Sequence, residues 1–161
     1  MSAQASQPDL LTDDLLAHVG QPYPPVVYEV TRPGVRMWAR AVGFTDPVFY
    51  DVDHARAAGH PDLPAPPGFY GMPVTGADGI VPGPPIRGLH PELTRSLNGG
   101  TAYTCERDVH AGDTLVATTA ITSIKQKASA TLGPILVISR RTDFARDGEL
   151  VATLTATVIN Y

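Results

Sequence analysis

Apolar residues recur with two different rhythms in the two parts of the chain. From Pro8, the residues Leu10, Leu11, Leu15 and Leu16 are spaced as on a helix; Asp13 and Asp14 suit its first turns and Gly20 can end it. Pro22, Pro24 and Pro25 then force an extended lead-in to Val26–Val30, whose β-branched and aromatic side chains predict a first strand. Over Thr31 to Val42 the period is helical again: Thr31 can cap, Pro33 suits the first turn, and Val35, Trp38, Ala39 and Val42 make one stripe. A turn over Gly43–Asp51 leads into a short helix, Asp53–Ala58, closed by Gly59. Further on, the period drops to two. Gly99–His110, Asp113–Ile124, Pro134–Phe144 and Leu150–Asn160 are rich in Val, Ile, Thr and Tyr, with hairpin-type connections at Ala111-Gly112-Asp113 and Arg146-Asp147-Gly148-Glu149. An antiparallel sheet packed on helix follows, α+β in class.

Composition narrows the function. With 161 residues the chain makes one domain, which we divide into a tail and short helix over 1–20 and the domain proper over 21–161. A net charge of −4, without a clustered Lys/Arg stripe, argues against nucleic acid. A single Cys105 cannot form an internal disulfide, which points to a reducing compartment, and inside a strand-like run it reads as a small packed hydrophobe. Met1–Asp9 lacks the regions of a signal peptide and no apolar run reaches membrane-spanning length, so a soluble cytoplasmic protein is expected.

One stretch, Gly43-Phe44-Thr45-Asp46-Pro47-Val48-Phe49-Tyr50-Asp51, resembles the hallmark G-D-x-N-P-x-H-x-D of the MaoC-like hydratases and 3-hydroxyacyl-thioester dehydratases. Gly43, Pro47 and Asp51 match, and Asp46 stands where the family has Asn. The family's catalytic Asp falls on Phe44 and its catalytic His on Phe49. Further landmarks follow in order: Leu97-Asn98-Gly99-Gly100, Val109–Leu115 and Asp147–Ala152, so that the likeness spans roughly residues 26 to 160 and favours the family's N-terminal, non-catalytic branch. The resemblance implies a single hot-dog domain, an antiparallel sheet wrapped around a central helix. Ala65-Pro66-Pro67 would open that helix; Pro73 and the glycines at 71, 76 and 79 would kink or shorten it, and an irregular loop is expected from Asp78 to about His90.

Phenylalanine has no titratable group, so neither Phe44 nor Phe49 can be an acid or a base. Nearby substitutes are Asp46, Tyr50 and Asp51; Asp46 before proline suits a turn cap, and Tyr50 and Asp51, being adjacent, point apart on a helix. His54, three residues after Asp51, could pair with it, but no further cluster completes a metal site, and His90 and His110 have no partner by spacing. Glu106 and Asp108 read as one solvated strand face, and Lys125 and Lys127 as surface lysines able to meet coenzyme A phosphates. No metal and no cofactor are expected beyond a coenzyme A or acyl-carrier thioester as substrate.

The resemblance implies a subunit of an (R)-specific enoyl-thioester hydratase or 3-hydroxyacyl-thioester dehydratase, of fatty-acid, polyketide or steroid metabolism. Hot-dog domains pair, and in heteromeric members one subunit keeps the dyad while the other shapes the acyl pocket. By that analogy Phe44, Phe49, Ala65, Pro66, Pro67, Phe69 and Tyr70 would line the acyl site, in a homodimer or beside a catalytic MaoC-like subunit. The alternatives are a non-enzymatic acyl-binding or assembly module, or an acyl-thioesterase; the latter needs a carboxylate on the central helix, and Gly68–Thr75 contains none.

Overall fold

The computed structural model describes residues 9–77, 79 and 89–161. Its centre is one six-stranded antiparallel sheet: β1 (Val26–Glu29), β2 (Met72–Pro73), β3 (Ser96–Cys105), β4 (Thr114–Ser129), β5 (Gly133–Arg146) and β6 (Glu149–Asn160), in the order β2-β1-β4-β5-β6-β3. Among the described residues three α-helices accompany it, α1 (Asp13–Leu16), α2 (Arg32–Val42) and α3 (Val52–Ala57), with a single 3-10 turn over Pro47–Phe49 between the last two. This is the α+β hot-dog class expected. Most of the expected Asp78–His90 loop lies outside the described residues, as does the tail Met1–Gln7.

Alternation puts the core on one face of the sheet, and bulges steer it. In β4 the buried positions are Leu115, Ala117 and Ile121, then Ile124. The phase changes from odd to even because the register with β5 slips between Ile121 and Ser123, so Thr122 is the extra residue. On β5, Leu136, Ile138, Thr142 and Phe144 keep one phase throughout. A second slip opposite Phe144/Ala145 lets both Val151 and Ala152 of β6 point inward. The β5–β6 connection is a two-residue turn with Asp147 at φ 52° and Gly148 at φ 81°, the left-handed pair that suits the strand twist.

Two clusters fill the inner face. Val30, Val35, Ala55, Leu63, Phe69, Tyr70, Leu115 and Phe144 belong to the larger, with Trp38 and Phe49 packed against it. The smaller joins Leu10 and Leu15 to Ile121, Ile124, Leu136 and Ile138. Thr12 caps α1, its hydroxyl accepting from the Leu15 amide. Within α2 the stripe is narrower than expected: Val35 and Ala39 are buried, whereas Val42, in the last turn, is 51% exposed.

Two expectations need correction. Ala111-Gly112-Asp113 does not fold β3 onto β4 as a hairpin. β3 pairs with β6 at the far edge, and the turn docks instead on the end of β1, where the Gly112 amide donates to Val30 O at 2.7 Å. Likewise, the segment expected to open a central helix is a turn and a strand. In Pro66-Pro67-Gly68-Phe69 the Phe69 amide donates to Pro66 O at 3.0 Å, with proline second and Gly68 third at φ 84°, the sequence logic of a type II turn. Gly71 follows at φ 93°, where a Cβ would meet Glu29 O at 2.6 Å. That close approach lets Met72–Pro73 pair with β1.

Candidate functional site

The motif loop is built by backbone capping. α2 closes on Gly43, at φ 83°, with the Gly43 amide donating to Arg40 O and the Phe44 amide to Ala39 O at 2.9 Å. Asp46 caps the next turn, its carboxylate accepting from the Val48 amide at 2.9 Å. Asp51 caps α3, accepting from the amides of Asp53 and His54 at 2.8 and 2.9 Å; the His54 and Asp53 amides hold its carboxyl below the usual range. The Tyr50 hydroxyl donates to Phe44 O at 2.6 Å, and Arg36 Nε donates to Tyr50 O at 2.9 Å.

On this frame Phe44 and Phe49 face each other, ring centroids 5.5 Å apart and tilted by 32°. Phe44 is 37% exposed, while Phe49 packs against the larger core cluster beside Val48 and Val52. The three polar residues near them are thus engaged in holding the loop.

A cleft of about 240 Å3 lies nearby on the chain, with Ala65, Pro66, Pro67, Gly68, Phe69 and Tyr70 as one wall and Cys105, Arg107, Asp108 and Val109 as the other. Phe44 and Phe49 do not line it, so the fold divides the predicted acyl-site residues into two groups. The first wall is docked by main chain: the Ala65 amide donates to Val109 O at 2.7 Å, and the Ala111 amide to Leu63 O at 2.9 Å. Asp62 fixes its start, taking two bonds from Arg32 at 2.9 and 2.6 Å and one from the Leu63 amide. These donors, Arg32 first, hold the Asp62 carboxyl at about 2. Gly34 admits the Phe69 ring to the side of α2, since its missing Cβ would lie 2.9 Å from Phe69 Cζ. Phe69 in turn packs on Trp38, whose buried Nε1 has no acceptor among the described residues.

Tyr70 is 8% exposed, stacks on Phe144 at 4.7 Å and shares a 3.2 Å hydrogen bond with Cys105 Sγ. Burial, reinforced by Cys105, raises its phenol well above the ordinary range. Cys105 itself is exposed, because β3 is an edge strand; it is not the packed hydrophobe expected. All ten residues of β3 are exposed, Leu97 and Tyr103 at 47% each. The strand ends at Cys105, so Glu106 and Asp108 do not share a strand face.

Sequence spacing offered no third ligand for any histidine, yet the fold gathers His60, Asp108 and His110, each presenting a ligand atom within 4.8 Å of the others. The imidazoles stand with His60 Nδ1 3.2 Å from His110 Nε2. Burial, with His60 beside it, lowers the His110 pKa. His54, by contrast, is exposed and meets Asp51 through its main-chain amide. Lys125 and Lys127 are both exposed on β4. No helix among the described residues is long and apolar enough to cross a membrane.

Against known proteins, the family profile described as FAS1-like, dehydratase domain region, matches residues 17–154. A "UPF0336 protein" of Streptomyces griseus is 39% identical over 136 residues, covering 84% of this chain and 87% of that protein. Among solved structures, the ChsH1–ChsH2 complex of Mycobacterium tuberculosis superposes with a TM-score of 0.74 at 22% identity, covering 92% of this chain and 89% of the other. The C-terminally truncated HadBC (3R-hydroxyacyl-ACP dehydratase) complex of the same organism gives a TM-score of 0.61 at 21% identity, covering 88% and 96%. Both are complexes, and at these identities the likeness is one of fold.

Proposed function

Because this chain belongs to the FAS1-like dehydratase-domain family, among the MaoC-like hot-dog hydratases and dehydratases, we propose that it is the pocket-forming, non-catalytic subunit of an (R)-specific enoyl-thioester hydratase or 3-hydroxyacyl-thioester dehydratase. The observation that carries this reading is the Phe44–Phe49 pair. The loop that holds the acid and base in the family is fully capped here, yet its two chemical positions carry apposed aromatic rings 5.5 Å apart. Water addition across an enoyl double bond needs a base for the water proton and an acid for the carbon. Neither ring supplies one, and Asp46, Tyr50 and Asp51 hold backbone groups instead.

The catalytic pair then comes from a second hot-dog subunit. The ten-residue exposed edge of β3, apolar at Leu97 and Tyr103, supports the pairing, as does the likeness to two structures that are complexes. The acyl group, carried as a coenzyme A or acyl-carrier thioester and needing no other cofactor for this reaction, would lie against Phe44, Phe49 and the wall Ala65–Tyr70.

The test is hydration of a medium-chain trans-2-enoyl-CoA, followed by loss of enoyl-thioester absorbance. The chain alone is expected to be inactive, and co-expression with a dyad-bearing hot-dog protein to give activity. Turnover by the isolated chain overturns the proposal.

A further inference from the structure

Away from the motif loop, His60, Asp108 and His110 converge from separate parts of the chain, and main-chain bonds set where the two histidines stand. His60 ends the closing turn of α3: its amide donates to Ala55 O while the amide of Gly59, at φ 94°, donates to Arg56 O. His110 lies in the strip that docks on residues 63–65, and its amide donates to Asp113 Oδ2 at 2.8 Å. Arg146, a cationic side chain that bonds to this strip, is already paired: Nη1 donates to Asp113 Oδ2 at 2.6 Å and to Asp108 O at 3.2 Å.

The separations decide what such a group can hold. Metal–nitrogen bonds of ~2.0–2.1 Å at a tetrahedral angle put two imidazole nitrogens about 3.3–3.4 Å apart. His60 Nδ1 and His110 Nε2 stand at 3.2 Å, so the separation already matches and the rings need only turn to aim both lone pairs at one ion. The Asp108 oxygen, within 4.8 Å of both, belongs to an exposed side chain. The same separation suits a hydrogen bond between the rings, one nitrogen donating and the other accepting; an ion would take the place of that shared proton and draw in the carboxylate.

We propose that His60, Asp108 and His110 form a binding site for a first-row transition dication of the zinc class, with two imidazole nitrogens and one carboxylate oxygen as ligands and a further position open to water. Imidazole ligands favour such ions over magnesium or calcium. Asp108 also lines the cleft, which puts the ion at its rim. The site uses no atom of Phe44 or Phe49 and stands independently of the subunit assignment.

The test uses the full, untagged chain stripped with EDTA. Titration with Zn2+ by calorimetry, and with Co2+ by visible absorption, is expected to give one saturable equivalent with the intense bands of a tetrahedral Co2+ centre. That equivalent is lost in H60A and in H110A, weakened in D108N and unchanged in H54A, with thermal melts verifying that each variant folds. If H110A does not fold, ring resonances of the native chain decide: Zn2+ must shift those of His60 and His110 together and leave those of His54 in place. Absence of a saturable equivalent in the native chain, its survival in H60A, or ring shifts elsewhere overturns the proposal.

Discussion

Replacing Asp62 with Asn isolates the anchor of the cleft wall with little change of shape. The carboxylate accepts two bonds from Arg32 at the start of α2 and one from the Leu63 amide. Its pKa falls from 3.8 to about 2, which in a shielded pair would correspond to about 2.4 kcal/mol. Water reduces this, because the Asp62 and Arg32 side chains are 16% and 48% exposed. Exposed ion pairs are worth ~0.2–1 kcal/mol, so about 1 kcal/mol is expected for D62N at pH 7, or ~2–4 °C in Tm for a domain of this size. The sign is set by the depressed folded pKa: the stabilisation is complete above the unfolded value near 4 and is lost as pH falls towards 2. At pH 3 about half of it remains. The assay is urea denaturation of the native chain and D62N at pH 7 and pH 3, with a double-mutant cycle through R32Q to separate the pair from its surroundings. An equal loss at both pH values would refute the electrostatic account, and no loss at pH 7 would refute the anchoring role.

Leu15 is fully buried under β4 and β5, and Leu15→Ala should cost about 2–5 kcal/mol, read as a lower denaturation midpoint at unchanged slope. Gly71→Ala must place a Cβ against Glu29 O from a left-handed φ; about 1–3 kcal/mol of strain is expected, with faster amide exchange at Val74, whose N–H bonds to Val27 O. Leu97→Lys, on the open face of β3, should shift the melt by less than ~0.5 kcal/mol while abolishing co-purification with a dyad-bearing subunit; a complex that persists would remove β3 from the interface.

How much of this was legible follows from the range of each interaction. Thr31 and Gly43 bound α2 through bonds to their own neighbours and Pro33 suits its first turn through its fixed φ, and all three are local signals that the sequence shows. The long strands were readable from alternation, but Thr122 and Val151 reset the inward phase through partners on other strands, which alternation cannot reveal. Pro66-Pro67-Gly68-Phe69 resembles a helix opening, yet the letters also carry the turn chemistry that the Phe69–Pro66 bond follows. The first wall of the cleft was named from the sequence. Its second wall was missed because β3 runs to the far edge beside β6, a pairing between distant segments. His60 and His110 are fifty residues apart and meet only because residues 63–65 dock on 109–111.

The motif loop bears on why such a scaffold persists without its acid and base. Asp46 and Asp51 accept from amides, the Tyr50 hydroxyl donates to a carbonyl, and Arg36 donates to the Tyr50 carbonyl. Every one of these bonds fixes main chain, and together they hold the positions of Phe44 and Phe49. A loop that had merely lost its chemistry would need none of this order, since two unsupported rings could collapse into the core. Instead Phe44 stays 37% exposed over Phe49, whose own ring packs against the larger core cluster, so that one apolar ring is presented outward from an anchored base. Such a surface can bind and shape an acyl chain but cannot move a proton. If this chain is the pocket-forming subunit proposed above, substitutions at Phe44 and Phe49 should change which thioesters the complex accepts more than how fast it turns over its best one.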